Sequence, residues 1–252
     1  MSFDITQLLE QWDYHPGQVS VRKFKGKDGL EKIQLRVDLG LLQMNAEGRP
    51  DGKRPFGQET LLDHYKLAFE KHRKAHEGSD EGFAITAEDC ARLQQECIQF
   101  HHRYICLFQI DDFEGVLRDT GRNLKAFEFV KRHAPGEDVS WSVQQFFPQL
   151  LLLRTRANGA LALKEGRFDE TIETIDTTLE QLRSFYHDHS RHDLMEQSGE
   201  IRSLEAWREE IRAHRPRSER EKLQTALDEA VRREDYEQAA KVRDALRNLK
   251  PS

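Results

Sequence analysis

The stretch SEREKLQTALDEAVRREDYEQAAKVRDALRNLK (Ser218–Lys250) has the pattern of two short amphipathic helices joined by a turn. Ser218 and Glu221 have the spacing of a capping box, which predicts the start of the first helix. Asp235, with Gln238 three residues later, predicts the start of the second. Apolar residues recur at helical spacing on both segments: Leu223, Leu227, Ala230 and Val231, then Ala239, Val242, Leu246 and Leu249. A unit shorter than about 40 residues usually needs outside support, so we expect this hairpin to dock on another surface.

The segment EDYEQAAKVRD (Glu234–Asp244) resembles the UVR motif, and the similarity extends over Leu227–Leu246. The UVR motif is the helical hairpin found at the end of the excision-repair protein UvrB and within UvrC. It also occurs in bacterial Clp-protease ATPases, in their adaptor McsA and in plant chloroplast signalling proteins. The resemblance implies a protein–protein contact module that pairs with another copy of the hairpin. The alternative is an ordinary amphipathic hairpin that closes a helical domain.

The candidate contact residues combine the apolar stripes of this hairpin with two charged positions. They are Leu227, Val231, Tyr236, Ala239, Val242, Arg243, Asp244 and Leu246. Arg243 and Asp244 are expected to set the polar register of the contact. The pattern does not separate the residues that face the hairpin interior from those that face a partner. We expect Val242→Glu to weaken partner binding while helix content falls only slightly.

The composition is typical of solvated helices rather than of a compact enzyme, with 37% hydrophobic and 33% charged residues. No apolar run approaches the ~18 residues of a membrane-spanning helix. The N-terminal stretch lacks the apolar core of a signal peptide. These features favour a cytoplasmic, bacterial protein that does not enter a membrane.

The distribution of charge argues against nucleic acid as a direct partner. Residues 1–60 and 190–252 each contain equal numbers of basic and acidic side chains, so the net charge of −6 comes from the middle of the chain. Binding to phosphates requires clustered positive charge that releases counterions. No basic tract of this kind occurs along the sequence, and direct nucleic-acid binding is therefore disfavoured.

Residues 1–58 predict a short helix and a small β-element. Asp4 is expected to cap the helix together with Gln7, and the helix is expected to bury Ile5, Leu8, Leu9 and Trp12. The segments 18–25 and 31–38 alternate apolar and polar residues around a turn at 26–29, which predicts a β-hairpin. Leu39–Met44 is expected to continue as a buried strand.

A loop rich in turn residues follows at Asn45–Gly57 and contains Arg49, Lys53 and Arg54. Glycines free backbone N–H groups to converge on an anion, and the three cations add charge, so the loop is a candidate site for an anion or an acidic partner. The alternative is a solvated connector. The run LRVDLGLLQMNAEGRPDGKRP also resembles the N-terminal part of uncharacterised bacterial UVR-motif proteins, which implies no activity.

Residues 59–188 predict a domain of helical hairpins. Thr86 with Asp89, and Asp112, are expected to cap two of its helices. Leu107–Leu124 aligns with Ala162–Leu179, and both segments place a phenylalanine directly after an inter-helix turn. The longer run RANGALALKEGRFDETIETIDTTL (Arg156–Leu179), which contains the second segment, resembles a tetratricopeptide repeat at Gly159, Gly166, Phe168, Ile175 and Leu179. This resemblance implies stacked helix pairs with a concave peptide-binding surface. A plain helical bundle without a groove is the alternative.

Residues 189–215 predict one long helix over about Asp193–Ala213, and residues 216–252 form the hairpin unit. The predicted fold class is therefore mainly α, with a small N-terminal β-hairpin or meander.

One group of histidines is a candidate metal site. His187, His189 and His192 form a cluster in which the last two would share a helix face, an arrangement that suits zinc or nickel. The alternative is a solvated inter-helix link. The three cysteines, Cys90, Cys97 and Cys106, contain no CxxC pair and are expected to be buried and reduced. We expect no metal, no cofactor and no catalytic residue.

Three functions compete at this point. One is an adaptor or regulator of a Clp-type protease or a stress-response kinase. Another is an accessory protein of excision repair that binds UvrB or UvrC. In both, the partner carries a UVR-type hairpin, which belongs either to a second copy of this chain or to a larger protein. The third is a metal- or anion-dependent enzyme that uses the Arg49–Arg54 loop or the three histidines.

Overall fold

The computed structural model describes residues 4–216 and 219–248 of the chain. Helices dominate it, and three strands near the N-terminus form one antiparallel sheet, so the predicted fold class is confirmed. The chain divides into two compact units, Met1–Glu205 and Ala206–Ser252. The division into segments 1–58, 59–188, 189–215 and 216–252 stays a prediction.

The elements of the first unit run in the order α1, β1–β3 and α2–α8. Their bounds are α1 Thr6–Glu10, β1 Ser20–Lys25, β2 Glu31–Val37, β3 Gly40–Asn45, α2 Leu61–Ala75, α3 Ala87–Gln109, α4 Phe113–His133, α5 Glu137–Gln144, α6 Phe147–Lys164, α7 Phe168–Asp188 and α8 His192–Gln197. A 3-10 turn at Pro55–Gly57 precedes α2. The remaining helices are α9 Gly199–His214, α10 Glu219–Arg232 and α11 Tyr236–Asn248.

The sheet is a meander in the order β1-β2-β3. The predicted hairpin between β1 and β2 forms around the turn at 26–29. Val37 pairs with Gly40, so the chain reverses at Asp38 and Leu39, and Leu39 is 87% exposed. The expectation of a buried strand over Leu39–Met44 is therefore wrong, because the chain turns at Leu39 and only Met44 of the following strand is buried, while Leu42 is exposed.

The N-terminal helix forms, but its predicted apolar face is only partly covered, since Leu9 and Trp12 are no more than half-buried. The Asp4 carboxylate accepts hydrogen bonds from the backbone N–H and the hydroxyl of Thr6, and Ile5 serves as the N-cap position. Ile5 and Leu8 are exposed. The helix has only one and a half turns, so it does not bury the apolar face that its sequence predicts.

The core of the first unit lies along α3 and α4, which pack against each other. One hydrophobic cluster joins the N-terminal half of α3 to α2, α5 and the C-terminal half of α4. A second cluster places the sheet residues Ile33 and Met44 against the C-terminal half of α3 and the start of α4. Beyond them, α4 packs on α6 and α6 packs on α7. Consecutive helices therefore stack side by side, and the sheet covers one end of the stack.

Several predicted helix ends are confirmed by their hydrogen bonds. Thr86 and Asp89 form the reciprocal capping box of α3. Asp112 caps α4 by accepting from the N–H of Gly115. The single long helix predicted over about Asp193–Ala213 is wrong, because the chain breaks at Ser198 between α8 and α9. The Ser198 hydroxyl accepts from the N–H of Ile201 and so starts a new helix.

One type of turn recurs in both units. In each case a residue with positive φ follows the end of one helix of a pair. The backbone N–H of the next residue donates to the carbonyl five residues before it, as in a Schellman motif. The positive-φ residues are Asp111, Gly166 and Glu234, and the bonds are Asp112 to Leu107, Arg167 to Ala162 and Asp235 to Ala230. An aromatic residue then opens the next helix at Phe113, Phe168 or Tyr236. The tetratricopeptide-like arrangement of these pairs stays a prediction.

Replacing Gly166 by Ala is expected to lower the free energy of unfolding by about 1–2 kcal/mol, because the site has φ +73° and a Cβ there strains the left-handed conformation. Urea denaturation would measure the change. Gly40→Ala is the matched control, since Gly40 is outside the positive-φ region and nothing lies within 4 Å of an added Cβ. Equal effects of the two substitutions would contradict the turn geometry.

Candidate functional site

The C-terminal hairpin consists of α10 and α11, which pack together and are joined by the turn at 233–235. Asp235 caps α11, because its carboxylate accepts from the N–H of Gln238 at 3.0 Å. The predicted start of the second helix is therefore confirmed. Ser218 of the predicted capping box and Leu249 at the end of the apolar stripe lie outside the described residues.

The burial pattern separates the two sides of the hairpin, which the sequence did not. Ala230, Ala239 and Val242 are buried, each at 9% exposure or less. Leu227 and Leu246 are half-buried. Because two of the three buried side chains are alanines, this side is lined by small groups and has little room for a larger one.

Val231 and Tyr236 lie outward, with 53% and 71% of their surfaces exposed. They flank the turn, since Val231 is the penultimate residue of α10 and Tyr236 is the first residue of α11. Arg243 and Asp244 are also exposed, and their charged groups lie 3.4 Å apart. The outward residues thus combine two apolar side chains with one exposed ion pair.

Val242 is 7% exposed, which changes the meaning of the Val242→Glu substitution. A carboxylate at that position would be buried, and burying an unpaired charge destabilises the hairpin itself. We therefore no longer expect helix content to fall only slightly in Val242→Glu; we expect the hairpin to lose stability. Binding is better tested at the exposed residues Val231 and Tyr236.

The Asn45–Gly57 loop does not present its three cations together. Arg49 is largely buried, and its guanidinium pairs with Glu96 at 2.9 Å and with Asp51 at 3.0 Å. Lys53 is exposed, and the exposed Arg54 lies 3.5 Å from Glu59. Arg49 therefore anchors the loop on α3, and only Lys53 and Arg54 face outward.

A buried ionic network, which was not predicted from the sequence, lies beneath this loop. The Arg103 guanidinium donates hydrogen bonds to both carboxylate oxygens of Asp119, at 2.6 and 2.8 Å. It also donates to the carbonyls of Asn45 and Gly48. Glu96 accepts from the N–H groups of Leu61 and Leu62, and it pairs with Arg49 and Arg122. One signal was available, because Glu96 and Arg103 occupy the apolar face of α3 with Phe100 and Leu107. A charge on such a face indicates a buried partner.

The three clustered histidines are separated by a turn. His189 packs on Trp141 and Phe185, and its Nδ1 lies 2.8 Å from the Phe185 carbonyl oxygen. The ring of His187 lies near that of His192, with 5.6 Å between the ring centroids. The expectation that His189 and His192 share a helix face is wrong, because α7 ends before His189 and α8 begins at His192. Across residues 4–216 and 219–248, no group of three or more His, Cys, Asp or Glu side chains is placed to hold a metal ion.

The cysteines are free and buried, as predicted. Burial raises the pKa of the Cys90 thiol to about 11 and that of the Cys106 thiol to about 12. Burial also lowers the pKa of His101 to about 4, and its Nδ1 lies 2.7 Å from the Tyr104 hydroxyl. Both thiols stay protonated and His101 stays neutral at pH 7, so these residues act as parts of the core.

Within the part of the chain that the structure describes, every helix is too short or too polar to span a bilayer.

Comparison with known families assigns the hairpin. The family model of the UvrB/uvrC motif matches residues 217–250, which include α10, the turn and α11. No curated protein and no solved structure matches the chain. The UVR resemblance of the sequence is thereby confirmed. The chain contains a C-terminal UVR motif, a helical hairpin associated with protein interaction and DNA repair.

Proposed function

We propose that the protein is a non-enzymatic adaptor whose UVR hairpin docks on a UVR-type hairpin of a partner. The observation that carries the proposal is the exposure of Val231 and Tyr236 at the turn of a matched UVR motif. The inner side chains Ala239 and Val242 are already buried. The hairpin therefore has an interior of its own and a separate apolar surface that a partner can cover.

The chemistry of this surface suits a specific contact. A tyrosine supplies a large apolar area with a polar tip, and such residues often dominate the binding energy of an interface. Val231, five residues earlier on the other side of the turn, is a second exposed apolar side chain. Arg243 and Asp244, further along α11, provide charges of both signs, which orient a partner more than they add affinity. A second hairpin of the same type offers the complementary set.

The partner is either a second copy of this chain or a larger protein with such a hairpin, of the UvrB, UvrC or Clp-ATPase kind. The adaptor then acts in the cytoplasm, in excision repair, Clp proteolysis or a stress response. It needs no cofactor in this role. The UVR match supports the class of contact, and the pathway is part of the proposal.

A double variant, Val231→Lys with Tyr236→Ser, tests the proposal in the full-length chain. We expect it to weaken binding to UVR-bearing partners, or self-association, at least tenfold, because both apolar contacts are lost. Pull-down with mass spectrometry identifies the partners, and analytical ultracentrifugation measures self-association. Helix content by circular dichroism should stay unchanged, since both positions are exposed.

The control is Leu39→Ser, which removes an exposed apolar side chain from the β2–β3 turn in the other unit. Its partners and oligomeric state should match those of the wild type. If the double variant also keeps the partners and the oligomeric state of the wild type, the hairpin surface is not the docking site and the proposal fails.

A further inference from the structure

An open cleft of about 690 Å³ lies in the first unit between the Gly48–Arg49 loop and helices α2, α3, α4 and α6. Seven of its sixteen lining residues are Lys or Arg, and three are Asp or Glu. The cleft therefore has an excess of positive charge, although the whole chain has a net charge of −6. A concave, positively charged site focuses the field on anions.

Three of the cations have no carboxylate partner within ion-pair distance among the described residues. They are Lys66 on α2, Lys125 on α4 and Arg154 on α6. Arg154 uses one terminal nitrogen to donate to the Leu117 carbonyl at 2.7 Å and the Thr120 hydroxyl at 3.2 Å. The other lining arginines differ, since Arg49, Arg103 and Arg118 all pair with carboxylates. The unpaired charge therefore belongs to side chains from three separate helices.

Arg122 adds an independent observation. Its terminal nitrogens bind Glu96, Asn123 and the Cys97 sulfur, but its Nε is buried with no hydrogen-bond partner among the described residues. Its guanidinium lies 4.4 Å from the centre of the Phe100 ring, which holds it in place. Burial lowers its pKa, so a nearby anion would stabilise its charged form. A buried donor without a partner at a cationic cleft points to a missing acceptor.

We propose that this cleft binds a small phosphorylated ligand, with its phosphate oxygens held by Lys66, Lys125 and Arg154. Ammonium and guanidinium groups form strong charge-assisted hydrogen bonds to phosphate. The volume lies within the range of small-molecule sites. The cations line one cleft, whereas a nucleic acid requires an extended basic track. The site is separate from the UVR hairpin, so it stands or fails independently of the adaptor role.

Calorimetric titration of the full-length protein with inorganic pyrophosphate tests the site. We expect binding that weakens as salt is added, and we expect Lys66→Gln with Lys125→Gln to raise the dissociation constant at least tenfold. Neither lysine has an ion pair in the described residues, so this double variant should keep the fold. Lys71→Gln with Lys131→Gln is the matched control, because these exposed lysines lie on the same two helices outside the cleft.

A second titration with ATP distinguishes the sources of the phosphate. Tighter binding of ATP than of pyrophosphate assigns a nucleotide, and equal binding assigns a polyphosphate without a required base; either result supports the site. Three results would overturn the proposal. They are no binding of either probe at millimolar concentration, equal loss of affinity in the control variant, and binding of an oligonucleotide or an acidic peptide in place of both probes.

Discussion

Replacing Asp119 by Asn is expected to lower the free energy of unfolding of the first unit by about 3–5 kcal/mol. The Arg103 and Asp119 side chains are each 1% exposed, so the substitution leaves a buried guanidinium without its counter-charge. Arg103 also donates to the Asn45 and Gly48 carbonyls, which ties the end of β3 to α3. The loss therefore spreads from the helix pair to the sheet.

Urea denaturation of the variant and the wild type would measure this change. Glu88→Gln is the control, because Glu88 and Arg92 form an exposed ion pair on the same helix α3. Exposed pairs contribute little, so the control should change stability by less than about 1 kcal/mol. A second comparison replaces both buried charges, Arg103→Met with Asp119→Leu, and should recover part of the loss. Equal small effects at Asp119 and Glu88 would contradict the importance of the buried pair.

Replacing Glu96 by Leu is expected to cost a similar amount, about 3–5 kcal/mol, because it removes the partner of two cations at once. The Glu96 side chain is fully buried and pairs with Arg49 and Arg122. It also accepts from the N–H of Leu61 at 2.8 Å and so supports the first turn of α2. The substitution leaves these donors without an acceptor.

Hydrogen exchange separates this effect from a general loss of stability. The amides of Leu61 and Leu62 should exchange faster than those in the centre of α7, since they lose their acceptor directly. Glu128→Leu on the exposed surface of α4 is the control and should leave these amides unchanged. Unchanged protection at Leu61 in the Glu96 variant would show that Glu96 does not support this turn.

These two networks also matter for the cationic cleft. Glu96 pairs with Arg49 and Arg122, and Asp119 pairs with Arg103, so three of the arginines that line the cleft have carboxylate partners. The buried carboxylates thereby stabilise a cluster of arginines that would otherwise repel one another. Lys66, Lys125 and Arg154 also line the cleft and have no ion pair among the described residues, so the unpaired positive charge belongs to them.

The elements of the fold were largely readable from local sequence. Thr86 with Asp89, Asp112 and Asp235 mark helix starts because a cap and its backbone donor lie three residues apart. The single long helix predicted over about Asp193–Ala213 was wrong because of a feature that is also local in sequence. Ser198 followed by a glycine interrupts a helical pattern, and the capping role of its hydroxyl was overlooked.

The UVR hairpin was also identifiable from sequence, since its motif is contiguous and the family match covers it. Which apolar residues face a partner was not identifiable. Val231 and Val242 both fit a helical period, yet one is 53% exposed and the other is 7% exposed. The helical spacing of apolar residues shows which side of one helix is apolar. Burial also depends on where the second helix packs against it.

The sequence thus determined the helices, the sheet and the UVR motif, because caps, turns and periods act over a few residues. Only the tertiary structure decided the outward side of the hairpin, the Arg103–Asp119 and Glu96 networks, and the cleft. Lys66, Lys125 and Arg154 lie on three different helices and far apart along the chain. They line a single cleft only because the packing of the helices brings distant positions together.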